Sequence, residues 1–258
     1  RAGATVAPHP CALGNRYRRE WSLMSNWERV WTLANWQRLL FGDLFTRGQL
    51  GGLALTLTIG LLAILGSTLI GAIVGLMRNS PRRSLNVPAM IYVQAFRNVP
   101  LLILVFWAYF VPPALGFQIS KFMSVLIALT LFTGAYIAEI VHGGIKSVAP
   151  ANIEAGRALG LAGYQIHTKI VLPQAFFNML PALAGRYVVS IKNTSLAFLI
   201  GLTDLTEIGK QIGARLMTAP LEVYLTLLII YFVVNRAISA LVRLLEDRKR
   251  FNRLFLRI

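Results

Sequence analysis

Apolar positions along this chain fall into long unbroken blocks separated by short polar stretches. Leu50–Met77 carries no charged residue. About 20 apolar residues suffice for a helix to cross a bilayer, so this block predicts a first membrane helix. Gly71 and Gly75 lie four apart within it, a spacing that lets two helix backbones approach closely. Ser84–Phe96 and Leu101–Val111 are uncharged and flank Arg97-Asn98-Val99-Pro100. The pattern predicts one helix over about 85–112, kinked near Pro100 because proline removes a backbone donor and ended by Pro112-Pro113. Phe122–Ala138 is the third block, closing at Glu139. Ile170–Gly185, with Pro173 and Pro181 inside it, begins the fourth. The fifth spans about 221–244.

Three regions follow. Residues 1–49 form an N-terminal extension, in which Trp27–Phe45 mixes Trp27, Trp31, Leu39 and Leu40 with polar residues. That stretch predicts an amphipathic helix lying in the membrane interface, where tryptophan is favoured. Met24-Ser-Asn-Trp reads as a start, so residues 1–23 read as an upstream extension. Residues 50–245 form a five-helix transmembrane domain, and 246–258 a basic cytoplasmic tail.

Composition agrees. Apolar residues make up 56% of the 258 and charged residues 14%, with mean hydropathy +0.61; soluble domains carry about 25% charged residues. The fold class is therefore all-α, a polytopic integral membrane helix bundle in contact with the lipid bilayer. The net charge of +16 reads as basic loops facing anionic headgroups rather than as a nucleic-acid surface. With the N-terminus outside, the cytoplasmic segments hold twelve Lys and Arg, from Arg78 to Arg257. Counted from Met24, the outer segments hold six. That asymmetry predicts N-out, C-in.

Much chemistry is excluded. Cys11 is the single cysteine, so no intrachain disulfide can form. His9, His142 and His167 never build HExxH, no cluster has metal-ligand spacing, and no GxxxxGK[ST] loop occurs. Ser195 has no base near it in sequence. The chain is read as having no catalytic residue, no metal and no cofactor of its own. Any energy from ATP must arrive through a partner.

The polar stretch 147–169 is the most informative. Ser147 is a possible helix cap and Pro150 suits a first turn. Residues 151–159 favour helix apart from Gly156, and Gly160 and Gly163 suit its end. This predicts a short helix-turn-helix between two spans, on the cytoplasmic side, with Ala155, Gly156 and Ala158 as a small-residue docking face. The plainer reading of Glu154 and Arg157 is a solvated i,i+3 ion pair.

Glu154-Ala155-x-x-x-x-Gly160, followed by Ile170-x-Leu172-Pro173, resembles the coupling loop of ABC-importer permeases. Pro173-Gln174-Ala175, Tyr136-x-x-Glu139, Arg97-x-x-Pro100-Leu101 and Lys192-x-Thr194-Ser195-Leu196 resemble the polar amino-acid branch of that family, and Phe96-Arg-Asn-Val-Pro and Lys192-Asn-Thr-Ser-Leu resemble its glutamate/aspartate permeases. Gly156 stands where the family commonly has alanine, Ala151-Asn152 where it has Gly-Gln, and His142 where arginine is common. The resemblance implies a type I importer permease with a five-helix core. It also implies division of labour: an extracytoplasmic amino-acid-binding protein delivers the solute, this chain and a second permease (the same or a homologous chain) form the path, and an ATPase subunit dimer binds ATP and Mg. Glu154, Ala155, Arg157 and Gly160 are the implied coupling residues, and a bacterial inner membrane the implied location. The implied solute is a polar amino acid: glutamate/aspartate or glutamine.

Charges inside spans are costly and mark function or internal pairing. Arg97, Glu139, Arg186, Lys192 and Arg236 qualify, with Arg236 expected to snorkel to the cytoplasmic surface. Arg97, Asn98, Tyr136, Glu139, Lys192, Asn193, Thr194 and Ser195 are the candidates for the substrate path; alternatively Arg97, Glu139 and Lys192 only pair with one another. Rival functions are an ABC permease for another small solute, a membrane anchor, or a stand-alone secondary transporter, whose usual internal repeat is not visible.

Overall fold

The computed structural model describes residues 26–217 and 219–255; the expected extension over 1–23 lies outside them. Residues 26–30 are helical. The elements are then α1 (Leu33–Phe41), β1 (Gly42–Asp43), α2 (Leu44–Arg47), β2 (Gln49–Leu50), α3 (Gly52–Arg78), α4 (Arg83–Asn98), α5 (Leu101–Ala114), α6 (Lys121–Lys146), α7 (Pro150–Ala158), α8 (Gly163–Gln165), a π-helical turn (Ile166–Val171), α9 (Leu172–Asn193), a 3-10 segment (Thr194–Ile200), α10 (Leu205–Leu216) and α11 (Pro220–Phe255).

The expected amphipathic helix is divided. Thr32 caps α1 by accepting from the Asn35 amide, and Gly42 ends it at φ 68°. β1 and β2 then pair antiparallel around α2. Trp31 Nε1 donates to Thr226 Oγ1 on α11 at 3.1 Å, and Arg38 reaches Gln211 Oε1 on α10 at 3.3 Å. The N-terminal unit is thus fixed to the end of the bundle.

α3 and α6 form the spine. A Cβ on Gly71 would lie 2.5 Å from Ile137 Cβ and 2.9 Å from the Gly134 carbonyl oxygen; one on Gly75 would lie 2.6 Å from Val141 Cβ and 2.9 Å from the Ala138 carbonyl oxygen. The predicted small-residue contact is therefore real, and only glycine permits it. Gly66 faces Thr130 in the same register, so the two helices run parallel. α9 runs antiparallel to both. Its Ile191 meets Gly60 of α3, its Met179 meets Gly144 of α6, and Ser190 Oγ lies 3.3 Å from Thr133 Oγ1. Ile59, Ala63, Val105, Leu129 and Ala197 are buried at the centre of the main apolar cluster.

Among the described residues, three helices are long and apolar enough to span a membrane: Gly52–Arg78, Lys121–Lys146 and the Pro220–Leu241 part of α11. α4 and α5 qualify only jointly, and they meet at 102°. The expected single kinked helix is therefore two helices. Pro100 disfavours α geometry in the residue before it, and Val99 sits at φ −103°, ψ 134°; the chain leaves one axis and starts another at Leu101.

Other boundaries move as well. α6 continues past Glu139 to Lys146, and α11 past Leu244 to Phe255, so the start of the expected tail is helical. The fourth block begins in a π-helical turn that leads into Pro173, which stands in the first turn of α9 and so breaks no ladder bond there.

Candidate functional site

At the α4–α5 break, charge gathers from four helices. Glu139 on α6 accepts from Arg97 Nη1 at 2.9 Å and also binds Arg78 Nη1 from the end of α3. One turn earlier on α6, Tyr136 carries Arg186 of α9 over its ring at 3.8 Å and Arg97 at 5.3 Å. Arg186 also lies 5.2 Å from the Phe132 centroid. Its Nε and Nη2 are buried and donate to no partner among the described residues. Cation–π attraction to the two rings offsets part of the cost of burying this guanidinium. Asn98 is exposed and donates to Gln94 Oε1 at 3.2 Å.

Sequence reasoning offered Arg97, Glu139 and Lys192 as either path residues or mutual partners, counted Arg186 among the charges inside spans without giving it a partner, and took Arg78 for a loop cation. The signal for Arg78 was its position on the last turn of α3, from which a long side chain turns back along the helix.

A second polar site opens between the end of α9 and α11. It is a cavity of about 410 Å³, open to one side, with Lys192 and Ser195 on one wall and Tyr231, Asn235, Arg236 and Ser239 on the other. Arg236 is exposed and lines this cavity. Ser195 Oγ donates to the Lys192 carbonyl at 2.8 Å. Thr194 lies outside the cavity: it is fully buried, its Oγ1 donates to the Ile191 carbonyl at 2.7 Å, and its methyl faces Gly60. Asn193, half-buried, is the last residue of α9. Tyr231, Asn235 and Ser239 stand four apart on one face of an apolar helix. That polar stripe was legible in the sequence and was missed.

The 147–169 connection is ordered as a short helix and turn. Ser147 ends α6 rather than capping α7: its Oγ donates to the Gly144 carbonyl at 2.8 Å and accepts from Asn178 Nδ2 at 2.9 Å. The cap of α7 is Ala149, with Pro150 first in the helix. Asn152 Nδ2 donates to Gln174 Oε1 at 2.7 Å, tying α7 to α9. Gly156 is buried, where a Cβ would come within 2.7 Å of Ile170 Cδ1 and 3.3 Å of Ile166 Cγ1. It therefore belongs to the inner side of α7, not to the expected docking face. Glu154, Ala155, Ala158 and Arg157 are exposed, and Glu154 and Arg157 make no ion pair with any described residue. Gly160 takes φ 75°, a left-handed turn that favours glycine. Gly163 instead starts α8.

At the other end of the bundle, Asp204 is fully buried at the start of α10. Its Oδ1 accepts from the Glu207 amide at 2.9 Å, and the neighbouring Leu205 amide donates to Thr56 Oγ1 of α3 at 3.1 Å. Burial pushes the Asp204 carboxyl up to about 7, against the pull of its cap hydrogen bonds. Among the described residues no group of three or more His, Cys, Asp or Glu side chains comes together to hold a metal.

Comparison with known proteins places this arrangement. The family described as binding-protein-dependent transport system inner membrane component matches residues 67–251. The glutamine transport system permease protein GlnP of Escherichia coli (strain K12) is 32% identical over 201 residues, covering 77% of this chain and 91% of that protein. The glutamate/aspartate import permease protein GltK of Escherichia coli O157:H7 is 33% identical over 207 residues, covering 77% and 92%. The crystal structure of an amino acid ABC transporter with histidines superposes with a TM-score of 0.73 at 32% identity, covering 76% of this chain and 92% of that one. The chain belongs to the inner-membrane permease family of binding-protein-dependent ABC importers, in the branch whose members are amino-acid permeases.

Proposed function

We propose that the chain crosses the membrane five times and lines a path for a polar amino acid, glutamate/aspartate or glutamine. Import would be driven by an ATPase subunit dimer that docks on 147–169 and holds ATP and Mg. The observation that carries the reading is the form of that connection. α7 is anchored from within by Gly156 and by the Asn152–Gln174 hydrogen bond, while Glu154, Ala155, Arg157 and Gly160 stay exposed and unpaired. Exposed charges held on a rigid short helix fit a partner's cleft better than a solvated linker. Because α7 connects α6 to α9, a displacement there would move both helices as bodies, which is the shear motion alternating access needs.

The parallel register of α3 and α6 supports the count of spans. Two parallel helices require the segment between them to return across the bilayer, so the α4–α5 pair is read as one broken span. Broken helices with freed backbone groups are common at transporter binding sites. α9, antiparallel to α6, is read as the fourth span and α11 as the fifth; five spans put the termini on opposite sides, and with 147–169 on the cytoplasmic side this reads as N-out and C-in. A second permease (the same or a homologous chain), an extracytoplasmic amino-acid-binding protein and a bacterial inner membrane complete the assembly.

The test is gentle solubilisation of tagged chain and identification of what is co-purified. An ATPase subunit should be recovered with the parent and lost from the combined variant Glu154→Arg, Gly160→Val, with the chain still folded. Parent chain recovered alone from membranes where it is folded would sink the reading.

A further inference from the structure

We infer that the π-helical turn Ile166–Val171 is a register joint between α7 and α9: it passes between five-residue and four-residue hydrogen bonding, and each register seats α7 differently. This inference rests on the reading above that α7 passes motion to α9, and it names the place where that motion is taken up.

The hydrogen-bond ladder carries it. The Leu172 amide donates to the His167 carbonyl, five residues back, where an α-helix would use Thr168. The next residue, Pro173, has no amide to donate, and in a continuous α-helix its ring would press on the carbonyl of Lys169. The ladder of α9 therefore starts afresh at Pro173, and a wider turn before it forfeits no bond from that residue. Thr168 Oγ1 donates to the Tyr164 carbonyl at 2.8 Å, a side-chain bond of a kind that bends helices. Wide turns of this type are rare and gather at functional sites.

α7 is tied to the chain on both sides of that interruption. Before Pro173, Gly156 lies against Ile166 and Ile170, where a Cβ would come within 3.3 Å of Ile166 Cγ1 and 2.7 Å of Ile170 Cδ1. Beyond Pro173, Asn152 Nδ2 donates to Gln174 Oε1 at 2.7 Å. Ile166 and Val171 are buried in one apolar cluster with Val141 of α6 and Met179 of α9, so the turn is packed and moves between defined seats, not as a loose loop. Passing from one register to the other turns Ile166 and Ile170 relative to Gln174 by roughly the 100° that separates neighbouring helical residues. One position of α7 cannot satisfy both ties in both registers. A partner that favours one position of α7 therefore favours one register of the turn.

The test uses the complex purified with the partners that accompany the chain. Spin labels are placed at Gly163→Cys, where a Cβ meets nothing within 4 Å, and at the exposed Val189→Cys on α9, in a Cys11→Ser background. Distances are measured in lipid nanodiscs without nucleotide and trapped with ATP and vanadate. The parent should show two distances whose weights exchange on trapping. Deletion of Thr168, which removes the extra residue, should show one distance in both conditions. It should keep the ATPase subunit and its ATP hydrolysis while uptake of radiolabelled L-glutamine and L-glutamate into proteoliposomes falls at least tenfold. Pro173→Ala restores the amide without shortening the chain and should lower uptake in the same direction; it decides the matter if the deletion does not fold. One unchanged distance in a parent that transports, or uptake at the parent level in either folded variant, overturns the inference and leaves the docking reading intact. Loss of the ATPase subunit from both folded variants would make the turn a mere support for α7 and also overturns it. A parent recovered without any ATPase subunit overturns both readings.

Discussion

Arg97 on α4 and Glu139 on α6 meet at 2.9 Å beside the point where the chain turns through 102°. The pair fixes the end of α4 where Val99 and Pro100 have given up helical hydrogen bonds. Glu139 also holds Arg78, so one carboxylate serves two cations on two other helices. Both Arg97 and Glu139 remain about one-third exposed, which keeps their mutual attraction modest and open to competition by solute or salt.

Glu139→Gln should therefore be more damaging than Arg97→Ala. The first strands two guanidinium groups; the second leaves Glu139 paired with Arg78. We expect a loss of about 1–3 kcal/mol for Glu139→Gln and less than half of that for Arg97→Ala, the half-exposed setting holding both below a fully buried pair. Thermal unfolding in detergent gives the order directly. Equal effects would mean that Arg78 does not share the carboxylate.

Gly75→Leu should prevent accumulation of folded chain, because the new side chain meets Val141 and the Ala138 carbonyl with no room to move. Overpacking of this kind costs about 1–3 kcal/mol or more. Gly143→Ala on α6 meets nothing within 4 Å and should gain about 0.5–1 kcal/mol from helix propensity. Membrane yield and melting temperature of the two variants are the measurements.

Gly156→Ala should be close to neutral. The neighbour it presses is the flexible end of Ile170, and the helix regains about 1 kcal/mol of propensity. Gly156→Leu should swing α7 off the bundle and abolish recovery of the ATPase subunit without lowering the amount of chain in the membrane. Recovery of that subunit at the parent level with Gly156→Leu would separate α7 from coupling.

Asp204 sets a pH dependence. Its carboxyl titrates near 7 when folded and near 3.8 when unfolded, so the folded state binds the extra proton between those values. Stability contributed by the neutral form is full below about pH 4, falls as pH rises toward 7, and is then gone. Glu207 and Tyr231 are the titratable groups beside it. Asp204→Asn keeps a helix cap, since asparagine is as good there, and should flatten the melting-temperature profile between pH 4 and 7. A profile as steep as the parent's would assign the titration to another group.

The sequence by itself determined the class and the order of elements. Uncharged blocks long enough to cross a bilayer can only be membrane helices, because backbone groups there must bond internally. Gly71 and Gly75 announced a close helix–helix contact because small residues at that spacing let backbones approach; that α6 is the partner came from the structure. The exposed polar helix after α6 was legible from Pro150, the helix-favouring run and Gly160. Tertiary structure decided what the charges do. Arg78 looks like a loop cation until α6 brings Glu139 beside it. Arg236 looks like an isolated cation until α9 delivers Lys192 to the same cavity. Gly156 looks like part of an outer face until Ile166 and Ile170 close behind it. Each of these depends on which face of one helix another helix covers, and local periodicity carries no record of that.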